Sequence, residues 1–229
     1  MKNPDNKTSN YDESLSKSYD KLYYTLVKKL YEWKDYRSIQ QIKQTYQWKK
    51  YMDKVNHGDR LNPSGKERGI MFIGINPGIA SNLKNVWEDP FGKFFKSLLD
   101  EAGIDKKKDE IWMTNLYKKR SPGNRPLTDH EIVEGKKELM YEIGFVRPII
   151  IVPMGSQVIE VFDSNLNDYK NWKTYQTFGL PHPSVLRYKP EKRSEYINNL
   201  IKIKSYYDRR KEDKDRILDR KETSVSNEE

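Results

Sequence analysis

Four consecutive apolar residues, Ile70-Met71-Phe72-Ile73, run directly into Gly74-Ile75-Asn76-Pro77-Gly78. This junction constrains the fold more than any other stretch. A strand that is apolar on both faces is stable only between two covering layers. The turn after it is fixed by two glycines and a proline, which allow tight geometry and close approach of backbone to a ligand. A second apolar run, Pro148 to Pro153, has the same character, and Ile111 to Thr114 and Tyr175 to Phe178 are shorter, weaker strands.

Helical patterns fall between these strands. Asp89-Pro90 fits an N-cap followed by proline at the first helical position, with Phe94, Phe95, Leu98, Leu99 and Ala102 on one stripe and a stop at Gly103. Thr128-x-x-Glu131 is a capping box for a helix that reaches Phe145. Gly155 opens a short helix ending near Phe162, and a final helix covers about Glu191 to Arg209. Strands alternating with helices predict a three-layer α/β/α sandwich around a short, mostly parallel four-stranded sheet. In such sheets ligands bind beyond the carboxyl ends of the strands, where both the Asn76 turn and the His182 loop fall.

Two amphipathic stretches, Ser14 to Trp33 and Ser38 to Val55, predict an N-terminal helical extension over residues 1–68, ending in the polar loop His57 to Arg68. Its many Tyr and Trp residues read as an extra packing layer. Residues 69–210 form the α/β domain, with a polar excursion at 163–173. Residues 211–229, with five basic and seven acidic side chains, read as a charged flexible tail. The net charge of +9 therefore resides in the folded part, which favours a polyanionic partner such as DNA. The chain has no cysteine, which excludes disulfides and thiolate-held metal or iron–sulfur centres. No cofactor or metal is expected. The polar Lys2 to Ser14 stretch and the short apolar runs predict a cytoplasmic protein, associated with nucleoid or viral DNA, that is neither secreted nor in a membrane; a monomer is expected.

Four residue types recur in order near the strand ends. Asn76 is an amide that holds water without carrying charge, and Phe91, in Asp89-Pro90-Phe91-Gly92, is a ring available for stacking. Asn115 is a second amide suited to a base edge, and His182 supplies an imidazole. Together they compose a nucleobase pocket. Asp89, beside Glu88, is taken up as a cap, while His57 and His130 lack metal-ligand spacing and belong to the surface.

These motifs resemble the uracil-DNA glycosylase superfamily. Gly74 to Gly78 matches the first motif of the mismatch-specific uracil and thymine glycosylases. Pro90-Phe91-Gly92 and His182-Pro183-Ser184 look like the single-strand-selective branch. Trp112 to Arg125, Arg147-Pro148 and His182-Pro183-Ser184-x-x-Arg187 resemble the iron–sulfur branch, whose cysteines would fall at Lys119 and Gly135. The resemblance spans about Ile70 to Arg187.

It implies that uracil or a related pyrimidine is flipped from DNA and cut from its sugar. Asn76 would position water, His182 would bond O2, Phe91 would stack and Asn115 would read the O4/N3 edge. Gly74, Ile75 and Gly78 would bring backbone to the substrate. Lys118, Lys119, Arg120, Arg125 and Ser184 would hold phosphates, Leu186 would wedge into the vacated stack, and Arg187 would lie on the backbone beside it. A glycosylase fold kept as a non-catalytic replication or repair factor is the alternative. An enzyme for another modified pyrimidine and an anion-nest protein are weaker ones.

Overall fold

The structure, a computed structural model, describes residues 63–78, 81, 83–105, 109–163 and 175–225, with five positions between Lys43 and Lys50 that are helical. Side chains are described as far as Asp213. The Ser14–Trp33 stripe, most of the Ser38–Val55 stretch, His57 and the 163–173 excursion beyond Asp163 lie outside the described residues.

A five-stranded sheet forms the centre, in the order β1-β3-β2-β4-β5. Its strands are β1 (Ser64–Gly65), β2 (Ile70–Gly74), β3 (Ile111–Asn115), β4 (Ile150–Pro153) and β5 (Gln176–Thr177). The last four run parallel, as the alternating pattern predicts. The two-residue β1 is an addition: it pairs antiparallel with Met113 and Trp112 at the sheet edge.

Period-two alternation in β2 divides the core into its two layers. Ile70 and Phe72 face helix α1 (Pro90–Glu101) and the first half of α4 (Arg193–Val225), packing with Phe95, Leu98, Leu99, Leu200 and Tyr207. Met71 and Ile73 face α2 (Asp129–Val146) and α3 (Ser156–Asp163), packing with Leu139, Ile143, Val146 and Val158. Phe72 meets Phe95 edge to face at 5.0 Å. Truncating a buried Phe of this kind costs ~3–5 kcal/mol.

Both predicted helix starts are present. The Asp89 carboxylate accepts the Gly92 N–H at 2.6 Å, with Pro90 opening the helix. Thr128 and Glu131 make the reciprocal capping box. The end of α4 is a correction. The helix does not stop near Arg209 but continues to Val225 through residues expected to be a loose tail. No Gly or Pro falls between Arg193 and Val225, and Lys, Arg, Glu and Asp cost a helix little. Lys204 pairs with Asp208 one turn on, and Lys211 reaches Glu110 at 3.7 Å.

Candidate active site

Parallel register places Gly74 opposite Asn115, so β2 and β3 release their loops side by side. Pairing persists past the strands: Leu116 N–H donates to the Gly74 carbonyl at 2.8 Å and Tyr117 N–H to Ile75 at 2.9 Å. The His182 loop is tied to the end of β4 by Gly155 N–H donating to the Leu180 carbonyl and Leu180 N–H to Pro153. Three strand ends thus converge on one cavity of about 480 Å³, within the range of small-molecule sites.

Asn76, Phe91, Asn115 and His182 all line that cavity, with Gly74, Ile75, Gly78, Ser184 and Arg187. Met154 and Asn124 also contribute, and neither was singled out from sequence. The half-buried Phe91 ring stacks on Phe95 at 5.9 Å and on His182 at 5.1 Å, which fixes the attitude of both cavity rings.

His182 N-caps a short 3-10 turn, Pro183–Arg187. Its Nδ1 accepts the Ser184 N–H at 3.3 Å and lies 2.7 Å from the Ser184 hydroxyl. With Nδ1 occupied as an acceptor, the neutral ring carries its proton on Nε2. Burial lowers the imidazole pKa below its ordinary value, and the nearby Arg187 charge lowers it further. The ring is therefore kept neutral near physiological pH. The Ser184 hydroxyl is thus directed at the imidazole, on a residue that lines the cavity.

The amide of Asn76 is oriented by its neighbours. Nδ2 donates to Ser121 Oγ at 3.1 Å and to the Pro77 carbonyl at 3.3 Å. Ser121 is buried, and its contact spans 45 positions of sequence, so no local pattern announces it.

The basic loop after Asn115 is not a uniform phosphate clamp. Lys118 is 0% exposed and ion-paired with the equally buried Glu142, which overturns its expected DNA role. Its ammonium also bonds Thr114 Oγ1 at 2.6 Å and the Asn115 carbonyl, while Glu142 accepts the Trp112 indole N–H at 2.6 Å. A buried charge of this kind persists only when paired and hydrogen-bonded. Arg125 is exposed but forks onto Glu131 at 2.7 and 2.9 Å. That bond, with the Thr128 N–H, holds the Glu131 carboxylate down at about 2. Arg120 is exposed and donates to the Ser81 carbonyl at 2.7 Å, and Lys119 is half-buried.

Leu186 is a further correction. It is 6% exposed and packs in the core against the α1 side of the sheet, so it cannot serve as a free wedge. Tyr188, two positions on, is 83% exposed between Arg187 and Lys189. Arg187 itself is exposed, with its guanidinium 5.7 Å from the Phe94 ring centre. His130 is exposed on α2, as expected of a surface residue. No cluster of three or more His, Asp or Glu suited to a metal ion occurs among the described residues, and none of their helices is long and apolar enough to cross a membrane.

Fold and cavity together define a class: an α/β sandwich with a cavity at the carboxyl edge of its sheet, lined by two amides and an imidazole. Residues 63–203, more than half of the chain, match the uracil DNA glycosylase superfamily, and the chain belongs to it. It is therefore a glycosylase-family hydrolase of the base-excision-repair type. Over 159 residues it is 27% identical to the type-4 uracil-DNA glycosylase of Archaeoglobus fulgidus, covering 61% of this chain and 77% of that one. The type-4 uracil-DNA glycosylase of Saccharolobus solfataricus is 27% identical over 154 residues, 59% of this chain and 69% of that one. A 142-residue stretch, 59% of this chain, is 30% identical to 15% of the DNA polymerase of Bacillus phage SP01.

Resemblance to the iron–sulfur branch implies a cluster, which the residues present do not fit. The chain has no cysteine, and Lys119 and Gly135 stand at matching positions. A Cβ on Gly135 would lie 2.6 Å from the Leu116 carbonyl oxygen. Close backbone packing of α2 against the loop after β3 fills that space.

Proposed function

We propose that this protein hydrolyses the N-glycosidic bond of uracil, or of a related deaminated or modified pyrimidine, flipped out of DNA, and leaves an abasic site. The observation that carries the reading is the meeting of Asn76, Phe91, Asn115 and His182 on one cavity. A protein that only bound DNA would not need all four there.

The extruded base stacks against Phe91 and presents its O4/N3 edge to Asn115, whose amide can donate and accept at once. His182 donates from Nε2 to O2, where negative charge gathers as the bond to C1′ lengthens. An aimed donor at such a site is worth ~3 kcal/mol in the transition state. Water held by Asn76 Oδ1 attacks C1′. The C1′–oxygen bond forms, the C1′–N1 bond breaks with its electron pair passing to the base, and the water proton is released to solvent. An amide is a weak base, so stabilisation of the leaving base supplies most of the rate. Among the described residues no lysine lines the cavity.

DNA approaches the sheet's carboxyl edge, where Arg120, Arg187 and Lys189 are exposed. Phosphate contacts from such groups position the duplex without reading sequence. Tyr188 meets the base stack beside the flipped nucleotide, the place expected of Leu186.

The test presents uracil, hypoxanthine, xanthine and hydroxymethyluracil in single- and double-stranded oligonucleotides and scores alkali-labile abasic sites. Cleavage at uracil that is lost in Asn76→Ala and His182→Ala, with DNA binding retained, supports the reading. If the wild type leaves every substrate intact, a non-catalytic DNA-binding factor takes its place.

A further inference from the structure

We infer that Ser121 is a positioning residue that fixes the Asn76 amide with its oxygen toward the reactive water. The inference rests on the glycosylase reading and adds a residue to its machinery. The terminal torsion of an asparagine is broad and nearly two-fold, so nothing within Asn76 itself decides whether oxygen or nitrogen faces the cavity. Ser121 decides it. Its hydroxyl donates to the Arg125 carbonyl at 2.9 Å, which leaves the oxygen only as an acceptor toward Asn76, 3.1 Å away.

An acceptor there demands the NH₂ end of the amide. The other Nδ2 hydrogen goes to the Pro77 carbonyl at 3.3 Å. Both amide donors are thereby spent, and Oδ1 is the atom left to accept from water. The chain of bonds runs from water to Asn76, then to Ser121, then to the backbone of the basic loop. Ser121 is only 3% exposed, so solvent does not substitute for it. The loop that carries it is anchored by the Arg125–Glu131 fork and the α2 capping box.

Without the hydroxyl the amide keeps only the longer contact to the Pro77 carbonyl at 3.3 Å and turns more readily, and an NH₂ group facing the water cannot take its hydrogen bond. Ser121→Ala is expected to lower single-turnover cleavage of uracil DNA about tenfold, the scale of one lost hydrogen bond. The KM and the melting temperature are expected to stay near wild type, and Ser121→Thr, which keeps the hydroxyl, to restore the rate. In an Asn76→Ala background, Ser121→Ala should cost nothing more, because the two act through one interaction.

The inference is overturned if Ser121→Ala cleaves like wild type, or if its loss persists unchanged in the Asn76→Ala background. A readout independent of catalysis separates this failure from failure of the glycosylase reading. Side-chain amide protons of Asn76, followed by NMR hydrogen exchange, should be protected in wild type and Ser121→Thr and should exchange faster in Ser121→Ala. Equal exchange in all three removes the positioning role. A wild type that cleaves nothing removes the catalytic one even where the protection pattern holds.

Discussion

Gly74 and Asn115 face each other across parallel strands, so closely that a methyl group on Gly74 would lie 2.4 Å from the Asn115 Oδ1. The amide proposed to read the base edge therefore occupies space that only glycine leaves open. Gly74→Ala should spare the fold, because the atom struck is the end of a side chain rather than backbone. It should instead displace the Asn115 amide and lower kcat/KM on uracil DNA by about ten- to a hundredfold, the scale of a lost base-edge contact. Steady-state cleavage beside a thermal melt checks this. Unchanged kcat/KM would mean that Asn115 does not contact the base.

The pH dependence follows from His182. Burial and Arg187 lower its pKa, so the neutral donor form persists somewhat below the ordinary value of about 6.5. Cleavage should rise with pH through that depressed pKa and be flat above it. Stability follows the same sign. Between the folded and unfolded pKa values the unfolded chain binds more protons, so this residue's contribution is complete above about pH 6.5 and fades as pH falls. Single-turnover rates across the acid range test the first expectation. His182→Ala should abolish the acid limb together with about a hundredfold or more of the rate.

Lys118 and Glu142 make a further prediction about stability. Both are fully buried, and Lys118 reaches the carbonyl of Asn115 as well. Glu142→Ala removes one partner and strands the ammonium, which should cost ~3–5 kcal/mol in urea unfolding. Replacing both residues together, Lys118→Met with Glu142→Leu, should recover most of that loss, since no charge is then left buried. If Glu142→Ala unfolds in urea like wild type, the pair does not hold the strand end that carries Asn115.

Where the sequence was legible, the signal was local. Ile70–Ile73 is apolar on both faces and could only be a central strand, and Asp89-Pro90 and Thr128-x-x-Glu131 are caps written within a single turn. The motifs around Asn76, Phe91, Asn115 and His182 also led to one cavity. The failures were non-local. Ser64–Gly65 has no periodicity, and only its pairing with β3 makes it a strand. Lys118 looked solvated because its partner lies 24 positions away. A signal existed even so: Glu142 falls on the stripe of Leu139, Ile143 and Val146, where an acid needs a cation. Dense charge disguises the last helix beyond Arg209 as coil, although no helix breaker lies before Val225. Leu186 sits on a 3-10 turn too short to show a buried face by pattern, and Tyr188 caps its end.

That last pair separates two readings of the DNA contact. Leu186 fills the core, and its truncation should act on folding: Leu186→Ala should cost ~2–5 kcal/mol of stability. Tyr188 projects into solvent with Arg187 and Lys189 beside it, and its ring should act on DNA. An aromatic ring stacked on a base is worth ~1–3 kcal/mol. Tyr188→Ala should therefore raise the Kd for duplex DNA carrying an abasic site by about tenfold or more while leaving the melting temperature unchanged. Tyr188→Phe keeps the stacking face and should bind like wild type. Fluorescence of 2-aminopurine placed beside the abasic site reports the insertion directly, and its quenching should be lost with the ring and kept in Tyr188→Phe. A Tyr188→Ala protein that binds and quenches normally would return the role to some other residue. It would also leave Tyr188 as an exposed ring of no consequence for DNA.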